Sequence, residues 1–293
     1  MIPFLDFSGE ASSKTGGTGH ALHFAHANGY PTGAYAPLLA DLASHSHGGQ
    51  KASVRAVLQR PLWPGADPAA LTSWEPLVAD LIRFWEEHAE QPAFGVGHSL
   101  GAVLTLAAAV RRPDLLRAVI LIDPILFSPA LQVAMDTARR LGWARRLHPL
   151  VGPALHRRRV FESQQAAFAR YREKDIFSGL DDARLRACVE AMTQPRSDGA
   201  VGPGVELVYS PEWEAAVYAT GPFNVWPLIS RLNLPLLVVQ GQRSHACSPA
   251  NMRRLERRHP CAVYKVVPGA GHMLPLEKPD EVADILRKYM ERV

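Results

Sequence analysis

No apolar run in this 293-residue chain approaches the roughly 20 residues that a membrane-crossing helix needs, so no spanning segment is expected. Cysteine is scarce. Cys188, Cys247 and Cys261 are odd in number and lack the paired spacing of a zinc site or a disulfide framework, which points to free thiols and no bound metal. Met1 to Phe7 carry neither the positive segment nor the apolar stretch of a secretory signal, so a cytoplasmic location is expected. A large excess of one charge is also missing: 32 Lys and Arg stand against 28 Asp and Glu, a net charge of +4. The arginines come as scattered pairs and triplets, Arg139-Arg140, Arg145-Arg146 and Arg157-Arg158-Arg159 among them, with no aromatic interleaving. They read as solvated helix faces and not as a nucleic-acid surface; contact with an anionic substrate or a membrane surface is the other option. There is no internal repeat and no low-complexity tract. With 47% hydrophobic and 20% charged residues, the chain can bury a sizeable core, as a monomer or a homodimer.

What is present is a G-x-S-x-G motif, Gly97-His98-Ser99-Leu100-Gly101. Ala93 to Val96 before it read as a buried strand, and the alanine-rich Leu100 to Arg111 after it as a helix packed closely on a sheet. A serine on such a strand-to-helix turn points its hydroxyl out of the sheet, beside the N–H groups of a helix N-terminus. Small residues at 97 and 101 leave room for the turn and for close helix–strand approach. Ser99 is therefore the candidate nucleophile, the alternative being a serine that only caps the helix.

Strands and helices alternate through the first 125 residues. Strands are expected at Ala21–Ala25, Ser53–Leu58, Ala93–Val96 and Ala118–Ile122, and helices near Tyr35–Ala43, Thr72–His88 and Leu100–Arg111. This alternation predicts an α/β fold, a mostly parallel sheet with helices on both faces. From about Leu126 to Leu228 the pattern breaks into helix-like segments (Gln132–Leu147, Phe161–Glu173, Asp181–Met192) and a Pro/Gly-rich loop at Gln194–Gly204. The α/β pattern returns with strands at Leu234–Gln240 and Ala262–Val267 and helices at Pro249–Arg258 and Pro279–Met290. Residues 1–125 and 228–293 are thus expected to form the core, and 126–227 an inserted helical cap. Its removal, bridged by a short linker, should leave a sheet core but alter substrate preference.

A nucleophilic serine needs a base, and imidazole is suited because its pKa lies near neutral pH. Among twelve histidines, His272 in Gly269-Ala270-Gly271-His272-Met273 follows the last apolar strand, where a Gly-rich loop can hang an imidazole over the sheet edge. With the Gly97–Gly101, His26–Gly29 and Gly271-His272 segments in hand, the chain resembles the α/β-hydrolase fold superfamily, in particular its capped serine hydrolases of esterase or lipase type. The resemblance covers the core; the cap matches only by location and helical character. It implies a serine, acid, histidine order along the chain. Most relatives keep the acid in a G-x-x-D context after the cap, where this chain reads Gly241-Gln242-Arg243-Ser244. Between Ala215 and Gly271 the one carboxylate is Glu256. Some capped relatives, haloalkane dehalogenases among them, carry the acid instead at the end of the strand after the nucleophile helix. There stands Asp123, and it is the expected third member; its other reading is a helix N-cap or turn aspartate before Pro124. Ser244 is then expected to be replaceable without effect. The resemblance also implies an oxyanion hole from the backbone N–H groups of Leu100 and Asn28, the segment His26-Ala27-Asn28 standing where the family has H-G-x, with His26 fixing the loop.

Trp63, Phe127, Trp226 and His98 are the expected substrate-binding residues, with Phe223 among further cap aromatics. The function expected is hydrolysis of a small-molecule carboxylic ester through an acyl-enzyme, with no cofactor. Thioester, amide and carbon–carbon bond hydrolysis share the same triad. A ligand-binding protein with a retained scaffold is the reading from a different class.

Overall fold

The computed structural model describes residues 1–8, 20–47, 50–89, 91–196, 204–221 and 224–293. Seven strands form one sheet: β1 (Phe4–Asp6), β2 (Ala21–Ala25), β3 (Ser53–Val57), β4 (Ala93–His98), β5 (Leu116–Ile122), β6 (Leu236–Gly241) and β7 (Val263–Val267). Their spatial order is β1-β3-β2-β4-β5-β6-β7, with β1 antiparallel at the edge and every other pairing parallel. Strand β1 escaped the sequence reading because three residues are too few to show a period.

The β5 run is apolar throughout because both its faces are covered. Ala118, Ile120 and Ile122 join an apolar cluster with α1 (Ala36–Ser44) on one face. Val119 and Leu121 join a second with α2 (Glu75–Glu87) and α3 (Leu100–Arg111) on the other. The alanines of α3 have a purpose in this packing: every residue from Leu100 to Ala109 is buried, and small side chains let the helix lie close on the sheet beneath α2.

Between β5 and β6 come α4 (Pro129–Arg140), α5 (Ala144–Leu147), α6 (Val151–Leu155), α7 (Gln164–Arg172), α8 (Asp182–Met192), α9 (Pro211–Thr220) and α10 (Val225–Arg231). A small antiparallel sheet of Val160–Phe161, Thr193–Pro195 and Val205–Leu207 is threaded among them, which the sequence did not betray because strands of two or three residues carry no alternation. Residues 197–203 of the Pro/Gly-rich loop and Phe223 lie outside the described residues. After β6, α11 (Pro249–Arg258), α12 (Leu274–Glu277) and α13 (Pro279–Met290) complete the chain.

Residues of 126–227 pack directly on the sheet layer. Phe161, Phe168, Phe177 and Leu185 share one continuous apolar cluster with Leu22, Phe24 and Leu38 of the sheet and α1. Excising 126–227 would expose that apolar surface at about 25 cal/mol per Å², a cost that a free-standing sheet core would have to bear.

Candidate active site

Ser99 sits between β4 and α3 with φ 56°, and Asp123 follows β5 with φ 43°; they are the only described non-glycine residues in the positive-φ region. Such backbone costs of order 1–3 kcal/mol and persists only where the surroundings impose it. Here they do. The Ser99 N–H donates to the Ile122 carbonyl at 3.0 Å, and the Asp123 N–H to the Val239 carbonyl at 2.7 Å. The motif glycines are obligatory on steric grounds: a Cβ on Gly97 would lie 2.2 Å from the Gly101 carbonyl oxygen, and one on Gly101 would lie 2.1 Å from that of Ala25.

His272, in the loop between β7 and α12, joins the two. Its Nε2 lies 3.0 Å from Ser99 Oγ and its Nδ1 2.6 Å from Asp123 Oδ2. Asp123 is fully buried, and its carboxylate is answered on every side: Oδ1 accepts the Gly241 N–H at 3.2 Å, and Oδ2 accepts the Ser244 hydroxyl as well as the imidazole. The same carboxylate, after burial, helps push the neighbouring Cys247 thiol up to about 12. Ser244 is therefore not a spectator, contrary to expectation; it stands in the loop where relatives keep the acid and donates to the acid from there. The imidazole loop has its own support. Glu277, buried on α12, accepts the Gly271 N–H at 2.8 Å. Nothing in the local sequence, Leu274-Pro275-Leu276-Glu277, distinguishes it from a surface helix acid.

His98 is completely buried and does not face the cavity. Its Nε2–H donates to the His272 carbonyl at 2.9 Å, and its Nδ1 accepts the Tyr35 hydroxyl at 2.8 Å. Tyr35 in turn accepts the Ala27 N–H at 3.2 Å. One chain of hydrogen bonds thus runs from the imidazole loop to the loop after β2, and it needs a neutral His98. Burial, reinforced by the charge of His272, holds its pKa well below the ordinary histidine value. The substrate-binding expectation for His98 is corrected to this buried linkage.

With the Ala27 N–H engaged by Tyr35, the next donor in that loop is Asn28. Its side chain is occupied in fastening: Oδ1 accepts the Tyr209 hydroxyl at 2.8 Å, and Nδ2 donates to the Glu214 carbonyl at 3.1 Å. His26, as expected, fixes the loop, its Nδ1 donating to the Ala27 carbonyl at 2.9 Å and Gln59 donating to its carbonyl at 2.7 Å. Leu100 opens α3, where first-turn N–H groups have no intrahelical acceptor. Behind Gly29 lies a half-buried ion pair the sequence did not announce, Arg157 to Glu214 at 2.6 Å. Burial alone would lower the Arg157 pKa, but Glu214, Tyr171 and Tyr30 outweigh it and raise it. A Cβ at Gly29 (φ 78°) would lie 3.1 Å from the Glu214 carboxyl carbon. Arg157 is thus not on a solvated face, as the arginine-triplet reading had it.

A cavity of about 800 Å³ opens over Ser99, His272, Asn28 and Leu100, and Phe127 lies in its wall. Trp63 and Trp226 are elsewhere. The Trp63 indole donates to the Leu58 carbonyl at 2.6 Å beneath Arg60. Trp226 is buried with its indole on the Phe127 carbonyl at 2.9 Å and Arg254 and Arg258 over its ring. Both were expected in the pocket; both were drawn instead into packing by the large apolar area of an indole. Tyr30, Tyr218, Leu150 and Ile176 line the cavity in their place.

Chemically, a hydroxyl, an imidazole and a carboxylate in a row, with a helix N-terminus beside the hydroxyl, form a unit able to move a proton from oxygen to Nε2 while the ring is held in one tautomer. The profile of a family described as the alpha/beta hydrolase family matches residues 16–285. The chain is 27% identical over 215 residues to 2-(acetamidomethylene)succinate hydrolase of Mesorhizobium japonicum, covering 73% of this chain and 68% of that protein. A crystal structure of E-2-(acetamidomethylene)succinate hydrolase superposes with a TM-score of 0.73 at 22% identity, over 94% of this chain and 92% of that one. That of a novel esterase from Mycobacterium tuberculosis gives 0.69 at 21%, over 94% and 85%.

Proposed function

The chain belongs to the alpha/beta hydrolase family, and we propose that within it the protein cleaves carboxylic esters by a serine acyl-enzyme route. Ser99 Oγ bonds to the ester carbonyl carbon while its proton passes to His272 Nε2, and Asp123 holds the Nδ1–H and offsets the imidazolium charge. The resulting oxyanion accepts the backbone N–H groups of Asn28 and Leu100. Collapse breaks the bond to the leaving alcohol, which takes the proton from Nε2. Water then repeats the sequence on the acyl-serine and releases the acid. The single observation that carries this reading is the position of His272, 3.0 Å from Ser99 and 2.6 Å from Asp123. In the same proposal the segment 126–227 acts as a cap, its Leu150, Ile176 and Tyr218 walling the cavity opposite the sheet.

Steady turnover of a panel of p-nitrophenyl esters tests the reading, with Ser99→Ala and His272→Ala each lowering kcat by about 10³-fold or more. The M. japonicum relative, named for an acetamido compound, favours a second reading, amide hydrolysis on the same residues. Turnover of acyl anilides in the absence of ester turnover would replace the first reading by the second. Stoichiometric binding without any turnover would favour a ligand-binding protein.

A further inference from the structure

Seven of the eleven exposed large apolar side chains among the described residues fall between positions 131 and 155, on α4 to α6. The concentration peaks around α5, where Leu141 is 53%, Trp143 54% and Leu147 63% exposed. The same stretch carries Arg140, Arg145 and Arg146, all exposed and without a carboxylate partner among the described residues. Its one acid, Asp136, is taken by Arg139 at 3.0 Å. Water-exposed Leu and Trp are a cost in solution unless something covers them. The covering body must be apolar and, to answer three free guanidinium groups, anionic. A second copy of this chain does not qualify, since facing copies would set these arginines against each other.

We propose that α4–α6 form a docking surface for an anionic lipid bilayer. Trp and Leu seat at the boundary of headgroups and acyl chains, while arginine stems lie along it with their charges on lipid phosphates. No helix among the described residues is long and apolar enough to cross a membrane, so the contact is peripheral. The surface adjoins the cavity: His148 and Leu150, between α5 and α6, line it, and Leu150 is itself 47% exposed. A bilayer held against α5 would therefore stand at the rim above Ser99. This docking is independent of the reaction proposed above and is read out without it.

The test is co-flotation of the full chain with vesicles of phosphatidylcholine alone and of phosphatidylcholine with roughly one third phosphatidylglycerol. The anionic vesicles should carry the protein up the gradient at low salt and release it at about 1 M salt, where the Debye length is about 3 Å. Neutral vesicles should retain at least about tenfold less. The triple variant Arg140→Glu/Arg145→Glu/Arg146→Glu should lose the binding, and Trp143→Ser should weaken it, with the circular dichroism spectrum and thermal melt unchanged in both. Should the triple variant fail to fold, the lipid and salt dependence of the unaltered chain decides. No flotation with anionic vesicles at low salt, or retention indifferent to lipid charge and salt, overturns the proposal. So does a salt-resistant dimer that Trp143→Ser dissociates, which would make a second copy the occupant.

Discussion

The hydroxyl of Ser244 donates a hydrogen bond to Oδ2 of Asp123, the carboxylate oxygen that also faces Nδ1 of His272. One oxygen serves two donors, so the loop after β6 steadies an acid that stands after β5. Ser244→Ala should therefore preserve folding and lower kcat by about tenfold, a loss of the order of one hydrogen bond to a charged group. Asp123→Asn should cost about 10²–10⁴-fold, because an amide neither enforces the tautomer nor offsets the imidazolium. The kcat of both variants against pH, with circular dichroism as the folding control, checks the order of the two effects. A silent Ser244→Ala would show the bond to be incidental.

The chain His272 carbonyl, His98, Tyr35, Ala27 N–H gives a second prediction. Tyr35→Phe leaves His98 Nδ1 and the Ala27 N–H unpaired in a buried site, which costs about 1–3 kcal/mol of stability. Because the link joins the base loop to the loop carrying Asn28, kcat should fall about tenfold with KM little changed. A variant that loses stability but keeps its kcat would confine the link to folding.

Acid stability follows from the buried imidazoles. In the unfolded chain each protonates near pH 6.5, whereas burial, with the charges of His88 and Arg55 assisting, holds His23 at about 3, and burial, partly opposed by a hydrogen bond to Ala27, holds His26 at about 4. Between those values the unfolded state binds more protons, so lowering pH favours it. Each should remove about 1–2 kcal/mol of stability between pH 7 and pH 5. Denaturant unfolding across that range, repeated with His26→Gln, should show a shallower slope in the variant.

Gly101→Ala is a steric test of the turn. A methyl 2.1 Å from the Ala25 carbonyl oxygen has no room unless α3 moves off the sheet. A loss of about 3 kcal/mol or more is expected, readable as a fall in Tm, and wild-type Tm would mean that the helix stands further from β2.

The core was largely legible. Leu100–Arg111, Pro249–Arg258 and Pro279–Met290 are helices over those same residues, because apolar periodicity and prolines at helix starts act locally. Ser99 and His272 stand out in glycine-rich punctuation, and Asp123 as a carboxylate ending an aliphatic strand. The pocket was not legible. Whether an aromatic faces a cavity or a neighbouring helix depends on how distant segments pack, so Trp63 and Trp226 could not be told from Phe127. Glu277, Glu214 and Arg157 were hidden for the same reason: their partners lie in distant segments or, like Gly271, in a neighbouring loop, and a charged residue that is paired and wholly or half buried looks in sequence like one in water.

The central claim is that Ser99 is the activated nucleophile. Treating the protein with a fluorophosphonate and mapping the adduct by peptide mass spectrometry tests it most directly. The account predicts one adduct, on Ser99, with none formed by Ser99→Ala and greatly slowed formation in His272→Ala. An adduct on a different serine, or undiminished labelling of Ser99→Ala, would contradict it.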